Sequence, residues 1–355
     1  MEVGAISGGL EGMAGSLLTQ DFIARRPLVS SARLILQAME VFRSLEAYRS
    51  TTGPTATIGT FDGVHRGHQV ILHQLVATAQ RQQRPSLVIT FHPHPRVVLG
   101  KAEGLFLLNT LDERLARLEA AGVDQTLVIP FTREFAGLTS TDFIEGILHQ
   151  QVGVKHLAIG YDHRFGRNRG GGLEELTEAG QRLGFSVQEI PAQQIDDATV
   201  SSTKIRAALE AGQVEAANRM LGYRYPLTGT VVEGDQIGRD LGYPTANLEA
   251  WESEKLVPAF GVYACEVQTP DGALWRGMLN WGVRPTLKEG LAKRLEVNLL
   301  DFEGDLYGKL LTVRYLARIR PEEKFDGLDA LKAQLAKDRQ ATEAIFQEPP
   351  SLETD

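Results

Sequence analysis

The sequence predicts an α/β domain built on a parallel sheet, followed by a small closed β-barrel with one helix at its C-terminal end. From Thr55 to about Leu221, short apolar strand segments alternate with helical segments, as in a parallel sheet with helices on both faces. From Tyr225 onward the pattern changes to short strands separated by glycine and proline, which indicates a barrel. A length of 355 residues favours two domains over one.

The elements of the first domain follow from hydrophobic periodicity. Strands are predicted, after a lead-in at residues 39–45, at 55–61, 86–91, 126–130, 156–160 and 185–190. Helices are predicted at 66–83, 111–122 and 141–150. Because ligands bind at the carboxyl ends of parallel strands, a functional site is expected where the strand at 55–61 ends. In the second domain a closing helix is predicted at 328–346, with Leu331, Leu335, Ala341 and Ile345 facing the core.

The predicted domain boundary lies near residues 222–223, where the periodicity changes. The first domain then covers residues 39–222 and the second 223–348, with 349–355 as a tail, and each half is expected to bury its own core. Residues 1–38 belong to neither predicted domain, and we interpret them as a disordered extension or the result of a mis-assigned start codon.

Composition narrows the functional class. A net charge of −8 disfavours a nucleic-acid binder that depends on phosphate contacts. The single cysteine, Cys265, excludes an intramolecular disulfide framework and is consistent with a reducing compartment, so a cytoplasmic location is expected. No apolar run approaches the roughly 20 residues of a membrane-spanning helix.

The most informative segment is GTFDGVHRGH at residues 59–68, at the junction of a strand and a helix. His65 and His68 are three residues apart, so they share a helix face over the helix N-terminus. That end of a helix attracts phosphate, and glycines allow the backbone to approach it closely. Two more donors aimed at one point would stabilise charge that develops on a phosphate during transfer. The segment therefore predicts nucleotidyl transfer.

Another interpretation of this segment is a metal site. Asp62, His65 and His68 could be metal ligands, joined by His92 and His94, or simply solvated loop residues. Their spacing matches no ligand set with a firm signature, so metal-dependent hydrolysis is less favoured.

A second segment, VSSTKIR at residues 200–206, precedes a short helical pattern. Ser201 or Ser202 is suited to cap the helix, and Lys204 and Arg206 add cations that could clamp a triphosphate. Alone it predicts an ordinary capped helix. Together with the histidine segment it predicts the second half of an ATP site.

Both segments, with GYDHRFG at residues 160–166, resemble the FMN adenylyltransferase module of bacterial bifunctional FAD synthetases. One departure is His163, which stands where the family usually has an aromatic residue. The resemblance implies catalytic roles for His65, His68 and Arg206. It also implies that the residues binding ATP or FMN are Gly59, Phe61, Asp62, Gly63, Asp162, Ser202 and Thr203.

The second half contains GDQIGRDLGYPTAN at residues 234–247, which resembles the riboflavin kinase signature. Its glycines can cradle phosphates, although a glycine-rich loop alone could be a plain turn. Thr245 and Asn247 share one side of an extended strand, and both carry oxygens suited to Mg2+. The remaining residues implied to bind ATP or riboflavin are Gly238, Arg239, Gly242, Pro244 and Asn298.

Downstream, RLEVNLLDF at residues 294–302 predicts a strand with Glu296 and Asn298 on one face. The resemblance implies that Glu296 is the base that accepts the proton of the ribityl hydroxyl. From spacing alone, a strand with a polar outward face is the simpler interpretation.

The resemblance thus implies a bifunctional enzyme that uses ATP and Mg2+. Riboflavin would be phosphorylated to FMN in the barrel, and FMN adenylylated to FAD in the α/β domain with release of pyrophosphate. The expected partners are the small molecules riboflavin, FMN and ATP, with no nucleic acid and no membrane, and homo-oligomerisation stays open. The alternatives are a flavin-binding regulatory protein with a decayed catalytic centre, or a related adenylyltransferase with another substrate. Intact His65, His68, Arg206 and Glu296 argue against decay.

Overall fold

The computed structural model of the chain describes residues 38–50, 52–100, 106–161, 164–167, 170–191, 200–234, 237–249, 252–285 and 291–352. Within these ranges no helix has the length and hydropathy that crossing a membrane requires.

The first part of the fold is a six-stranded sheet in which all neighbouring strands are parallel. Its strands are β1 (Glu40–Phe42), β2 (Thr55–Ile58), β3 (Ser86–His92), β4 (Gln125–Pro130), β5 (His156–Gly160) and β6 (Ser186–Ile190). The predicted strands are confirmed, but β2 ends at Ile58 rather than at residue 61. The backbone turns there because Phe61 and Val64 adopt positive φ angles of 49° and 35°.

Helices connect these strands. They are α1 (Arg66–Gln82), α2 (Pro95–Val98), α3 (Leu111–Ala120), α4 (Arg133–Ala136), α5 (Ser140–Asp142), α6 (Leu173–Leu183), α7 (Ser202–Glu210) and α8 (Val214–Leu221), and α5 runs on into a π-helix (Phe143–Gln151). Side chains of β3 alternate between two apolar clusters, with Leu87 and Ile89 in one and Val88 in the other. Both faces of the sheet are therefore covered, as predicted.

In the strand order β1-β4-β3-β2-β5-β6, the direction in which the sheet is built reverses at β2. From β2 the chain builds outward through β3 and β4, and it then returns to the other side of β2 as β5. Ligands of open parallel sheets bind at such a reversal, beyond the carboxyl ends of the strands. The histidine segment begins directly after β2, so it lies at this place.

The second part is a closed antiparallel barrel with the order β10-β11-β8-β7-β12-β9, which confirms the predicted architecture. Its strands are β7 (Pro226–Val232), β8 (Ala246–Glu249), β9 (Gly261–Gln268), β10 (Leu274–Pro285), β11 (Leu291–Leu299) and β12 (Leu310–Arg320). Between β7 and β8, the predicted glycine-rich loop contains a one-turn helix, α9 (Ile237–Asp240).

The closing helix α10 (Leu328–Gln347) requires a correction. The stripe predicted to face the core is only partly buried, and the buried residues of this helix are Asp338 and Thr342, on the same face. Arg320 of β12 binds the Asp338 carboxylate through Nε at 3.0 Å and Nη2 at 2.8 Å. A paired carboxylate can be buried at the centre of a helix face, but periodicity alone assigns it to solvent.

The apolar core of the barrel extends beyond the predicted boundary at residues 222–223. Ile205 and Leu209 of α7 and Val214 of α8 belong to one buried cluster with the barrel interior. The Asn218 side chain donates to the carbonyl of Tyr315 at 2.9 Å. The expectation that each half buries its own core is therefore wrong, because α7 and α8 supply part of the barrel's cluster. The domain limits themselves stay a prediction.

This shared core predicts how fragments behave. A fragment of residues 223–355 should unfold with a free energy about 2–5 kcal/mol smaller than a fragment of residues 200–355, because it leaves the apolar surface under α7 and α8 exposed. Urea unfolding of both fragments, followed by tryptophan fluorescence, measures the difference. Equal free energies would show that the helices are dispensable for the barrel.

Candidate active sites

The histidine segment forms a tight loop between β2 and α1. Gly63 adopts a φ of +87°, and a Cβ at this position would lie 2.7 Å from the Leu108 side chain. A glycine is therefore required here by both backbone conformation and space. The hydroxyl of Tyr223, at the start of the second half of the chain, donates to the Gly63 carbonyl and so holds the loop in place.

Asp62 is the buried anchor of this loop, with 1% of its surface exposed. Its Oδ1 accepts from the backbone N–H groups of Leu108 at 2.9 Å and Asn109 at 3.1 Å. Its Oδ2 forms an ion pair with the guanidinium of Arg206 in α7. The carboxylate that was predicted to bind ATP or FMN thus joins three parts of the chain, and its role toward a ligand stays a prediction.

The two histidines lie together at the N-terminus of α1. His65 caps the helix, with Nδ1 accepting from the His68 N–H at 3.4 Å. The rings stack with centroids 3.7 Å apart and planes 17° from parallel. The predicted shared face is therefore present. Because Nδ1 of His65 accepts, the proton of its neutral ring is on Nε2, which can donate to an anion.

Burial decides the charge of these rings. It lowers the pKa of His65 to about 4, against a smaller opposing effect of Asp62. Burial also lowers the pKa of His68 well below 6.5, with further lowering by His65 and Arg114. Both rings are thus neutral near pH 7, so they can donate hydrogen bonds without adding positive charge beside Arg206.

The N-terminal end of α7 lies against the same loop. Ser201 caps the helix by accepting from the Lys204 N–H at 3.3 Å, and Ser202 Oγ donates to the Asp62 carbonyl at 2.9 Å. Thr203 is exposed on the first turn. Arg206 also donates from Nε to the carbonyl of Phe106 at 2.8 Å. The two halves predicted for the ATP site therefore meet in the structure.

Three further predicted residues differ in their placement. Gly59 continues the pairing of β2 by donating to the Ile89 carbonyl at 3.0 Å. The Phe61 ring is buried, and its centroid lies 5.0 Å from that of the His68 ring, so its side chain packs against the histidine. Asp162 lies outside the described residues.

In the barrel, the predicted kinase residues converge on β8 and β11. Asn247 and Glu296 are direct cross-strand partners. Thr245 Oγ1 lies 3.5 Å from Glu296 Oε2. Asn298, two residues beyond Glu296 and 4% exposed, donates to the Pro244 carbonyl at 2.7 Å and holds the start of β8 in place.

The glycine-rich segment packs tightly above this cluster. A Cβ at Gly238 would lie 2.3 Å from the carbonyl oxygen of Tyr243, so no larger residue fits there. Arg239 is exposed on α9, and Gly242 follows in the turn, with a φ of +83°. Trp281 of β10 is buried, and its ring centroid lies 5.2 Å from that of Phe260.

Sequence reasoning missed two buried cations beside the histidine segment. Lys255 of the second half, 3% exposed, donates to the Leu108 carbonyl at 2.8 Å and pairs with Glu113. No feature of the sequence around Lys255 indicates that this lysine is buried. Arg114, 1% exposed, lies on α3 between Leu111 and Leu118 on the apolar face. A charged residue at such a position is a sequence signal that could have identified it.

Metal ligation at the histidines was the alternative interpretation. Across the described ranges, no group of three or more histidine, cysteine, aspartate or glutamate side chains is placed to hold a metal ion. Asp62 instead pairs with Arg206, and His65 caps α1.

Comparison with known proteins agrees with this division into two sites. Residues 48–204 match the family model described as FAD synthetase, and residues 221–346 match that described as riboflavin kinase. The chain is 40% identical over 299 residues to the bifunctional riboflavin kinase/FMN adenylyltransferase of Pseudomonas fluorescens, covering 82% of this chain and 93% of the relative. It is 38% identical over 294 residues to the protein of that name from Escherichia coli (strain K12), covering 83% and 93%.

A solved structure is also similar. The crystal structure titled macrolide-efflux protein from Streptococcus pneumoniae superposes with a TM-score of 0.76 at 31% identity, covering 86% of this chain and 99% of that one.

The buried histidines predict an acid-sensitive fold. His65 and His94 both have a pKa lowered to about 4 by burial, whereas in the unfolded chain each titrates near 6.5. Below about pH 6.5 the unfolded state therefore binds protons that the native state does not, so stability is lost as the pH falls toward 4. Each histidine should contribute about 3 kcal/mol to this loss.

Urea unfolding from about pH 8 to about pH 4 measures this dependence, and asparagine variants isolate it. Both rings cap helices through Nδ1, and asparagine can keep the cap without titrating. His65→Asn and His94→Asn should each flatten the pH dependence. An unchanged dependence in both variants would assign the acid sensitivity to other groups.

Proposed function

The chain belongs to the bifunctional riboflavin kinase/FMN adenylyltransferase family, and we propose that its two reactions take place at the two sites described above. The enzyme phosphorylates riboflavin to FMN with ATP and adenylylates FMN to FAD with a second ATP. The observation that supports the assignment is the convergence of the motif residues at two places. One is the carboxyl edge of the parallel sheet, and the other is the β8–β11 pair of the barrel.

At the sheet edge, a phosphate oxygen of FMN attacks the α-phosphorus of ATP and pyrophosphate leaves. Negative charge on the phosphorus centre then lies over the first turn of α1. His65 and His68 are neutral donors positioned over this turn, which suits the stabilisation of an oxyanion. Arg206 contributes a fixed positive charge beside them and is oriented by Asp62.

At the barrel, the ribityl hydroxyl of riboflavin attacks the γ-phosphorus of ATP. Glu296 is the base in this proposal, since its carboxylate faces the same side as Thr245 and Asn247 and is only partly buried. Asn298 acts on the site indirectly by holding the Pro244 carbonyl. The close approach of Gly238 to Tyr243 lets the backbone of α9 cover the phosphates.

The barrel site also fits Mg2+. The hydroxyl of Thr245 and the amide oxygen of Asn247 are hard donors on one side of the chain, beside the Glu296 carboxylate. Two protein oxygens are sufficient for an ion that retains water and phosphate ligands. When bound there, the ion would neutralise charge on the ATP phosphates.

The proposal extends to the cellular setting. A single buried cysteine and a net charge of −8 suit a cytoplasmic enzyme whose partners are riboflavin, FMN and ATP.

A time course with riboflavin, ATP and Mg2+, in which riboflavin, FMN and FAD are separated and quantified, tests both activities together. Appearance of FMN before FAD is expected, and absence of either product would reject that half of the proposal.

The adenylyl site is tested by His68→Ala. Loss of one donor to the transition state should lower FAD formation from FMN by about a hundredfold. Phosphorylation of riboflavin should stay near normal, because that site lies on the barrel. The matched control is His73→Ala, which removes an exposed histidine of the same helix and should leave both rates unchanged. Parallel loss of both activities in a folded His68→Ala protein would contradict the two-site assignment.

The kinase site is tested by Glu296→Gln, which keeps the shape of the side chain and removes its basicity. FMN formation should drop by about a hundredfold or more, while supplied FMN is still converted to FAD. Glu249→Gln, an exposed change on neighbouring β8, is the control. Full kinase activity in Glu296→Gln would leave Glu296 as a structural residue.

A further inference from the structure

The guanidinium of Arg114 is the buried charge that the proposed mechanism leaves unexplained. Its Nη1 donates to Thr90 Oγ1 and to the Phe91 carbonyl, both at 3.0 Å, at the end of β3. Its Nε and Nη2 are buried and have no hydrogen-bond partner among the residues that the structure describes. Arg114 is 1% exposed, so its guanidinium is shielded from bulk solvent.

The nearby carboxylates are bound elsewhere. Asp62 pairs with Arg206, and Glu113 pairs with Lys255. Glu252 is exposed, and in the described part of the chain it forms no ion pair with Arg114. A buried cation with two unsatisfied nitrogens, which carry three N–H groups, is costly, and an anionic ligand would remove that cost.

Two histidines beside Arg114 also present unsatisfied atoms. The Nδ1 atoms of His68 and His92 are buried and lack hydrogen-bond partners within the described ranges. His92 directly follows Phe91, whose carbonyl Arg114 holds. Thr90 Oγ1, which accepts from Arg114, in turn donates to the carbonyl of Thr60 at 3.3 Å, so the guanidinium is linked through one side chain to the start of the histidine segment. A guanidinium, imidazoles and a helix N-terminus are groups that bind an oxyanion.

We propose that Arg114, with His68 and His92, forms the subsite that binds the phosphate of FMN during adenylyl transfer. The inference rests on the proposed adenylyltransferase function and adds to it a residue that recognises the nucleophile. Arg114 would select FMN over unphosphorylated flavins and hold the attacking oxygen against the repulsion of the ATP phosphates.

The position of the Arg114 guanidinium against β3 favours FMN over ATP as the source of this phosphate. Arg114 extends from α3, and its guanidinium binds the end of β3, whereas the proposed ATP-binding helix α7 packs against the loop that follows β2. In an in-line displacement, nucleophile and leaving group stand on opposite sides of the phosphorus. One FMN phosphate oxygen forms the new bond to the α-phosphorus, and the bond to the pyrophosphate oxygen breaks, with that electron pair leaving on pyrophosphate. No proton needs to be transferred.

The test uses full-length Arg114→Met, which keeps the length of the apolar stem, with Arg182→Met as the control. Arg182, which is exposed on α6, pairs with Glu145 of the π-helix. In Arg114→Met, KM for FMN should rise by about tenfold to a hundredfold, while KM for ATP changes by less than about twofold. Lumiflavin, which has the flavin ring but no ribityl phosphate, is included as an inhibitor of FAD formation. Its inhibition constant should not change, because it does not reach Arg114.

Each alternative result overturns the proposal. A rise in KM for ATP with KM for FMN unchanged would assign the cation to the triphosphate. Equal weakening of FMN and lumiflavin would make Arg114 a structural residue of the flavin pocket, and unchanged constants would exclude it from binding. Wild-type protein that forms no FAD at all would instead reject the proposed function itself.

A second variant keeps the test valid if Arg114→Met does not fold, which loss of riboflavin phosphorylation would reveal. Arg114→Lys retains the charge in the buried site but cannot present the planar set of donors. Its KM for FMN should lie between those of wild type and a fully impaired protein, with kinase activity unchanged. A wild-type KM for FMN in this folded variant, together with normal lumiflavin inhibition, would show that the guanidinium is not the phosphate ligand.

Discussion

The structure depends on one buried carboxylate, that of Asp62. It accepts from two successive backbone N–H groups of the segment before α3 and pairs with Arg206 of α7. Three parts of the chain that are distant in sequence are thereby held around the loop that leads into α1. Removing either member of such a buried pair would leave an uncompensated charge in the interior. His65 and His68 owe their positions to this loop, because it sets where α1 begins.

The two halves of the molecule are joined through the same region. Lys255, from the chain between β8 and β9, is buried against the Leu108 carbonyl and Glu113. The residues on either side of Lys255 form backbone hydrogen bonds with Leu107. The Leu107 N–H donates to the Glu254 carbonyl, and the Leu256 N–H donates to the Leu107 carbonyl. On the other side, α7 and α8 complete the apolar cluster of the barrel. The segment that orients Asp62 therefore rests directly on the second half, although the two reactions are assigned to different sites.

The two sites handle phosphate by different physical means. At the sheet edge, a helix N-terminus, buried neutral imidazoles and guanidinium groups supply donors and positive charge. At the barrel, hard oxygen atoms of Thr245, Asn247 and Glu296 lie side by side, which suits a divalent cation and a proton acceptor. The first arrangement suits attack by a phosphate that is already ionised. The second suits attack by a hydroxyl, which must lose a proton.

The sequence by itself determined the fold class, the closed barrel and the shared helix face of His65 and His68, because periods of about two and 3.6 residues and a three-residue spacing are local properties. It also assigned the Pro-Thr-Ala-Asn segment and Glu296 to one kinase site, but only through family resemblance, and the pairing of their strands is a finding of the structure. Tertiary structure alone decided which charges are buried and paired. Asp338 is buried on one face of α10 because Arg320 pairs with it, and Asp62 binds protein groups. Among the described residues, two nitrogens of the Arg114 guanidinium have no hydrogen-bond partner. The free energy of a buried charge depends on partners that are remote along the chain, so no local pattern can predict it.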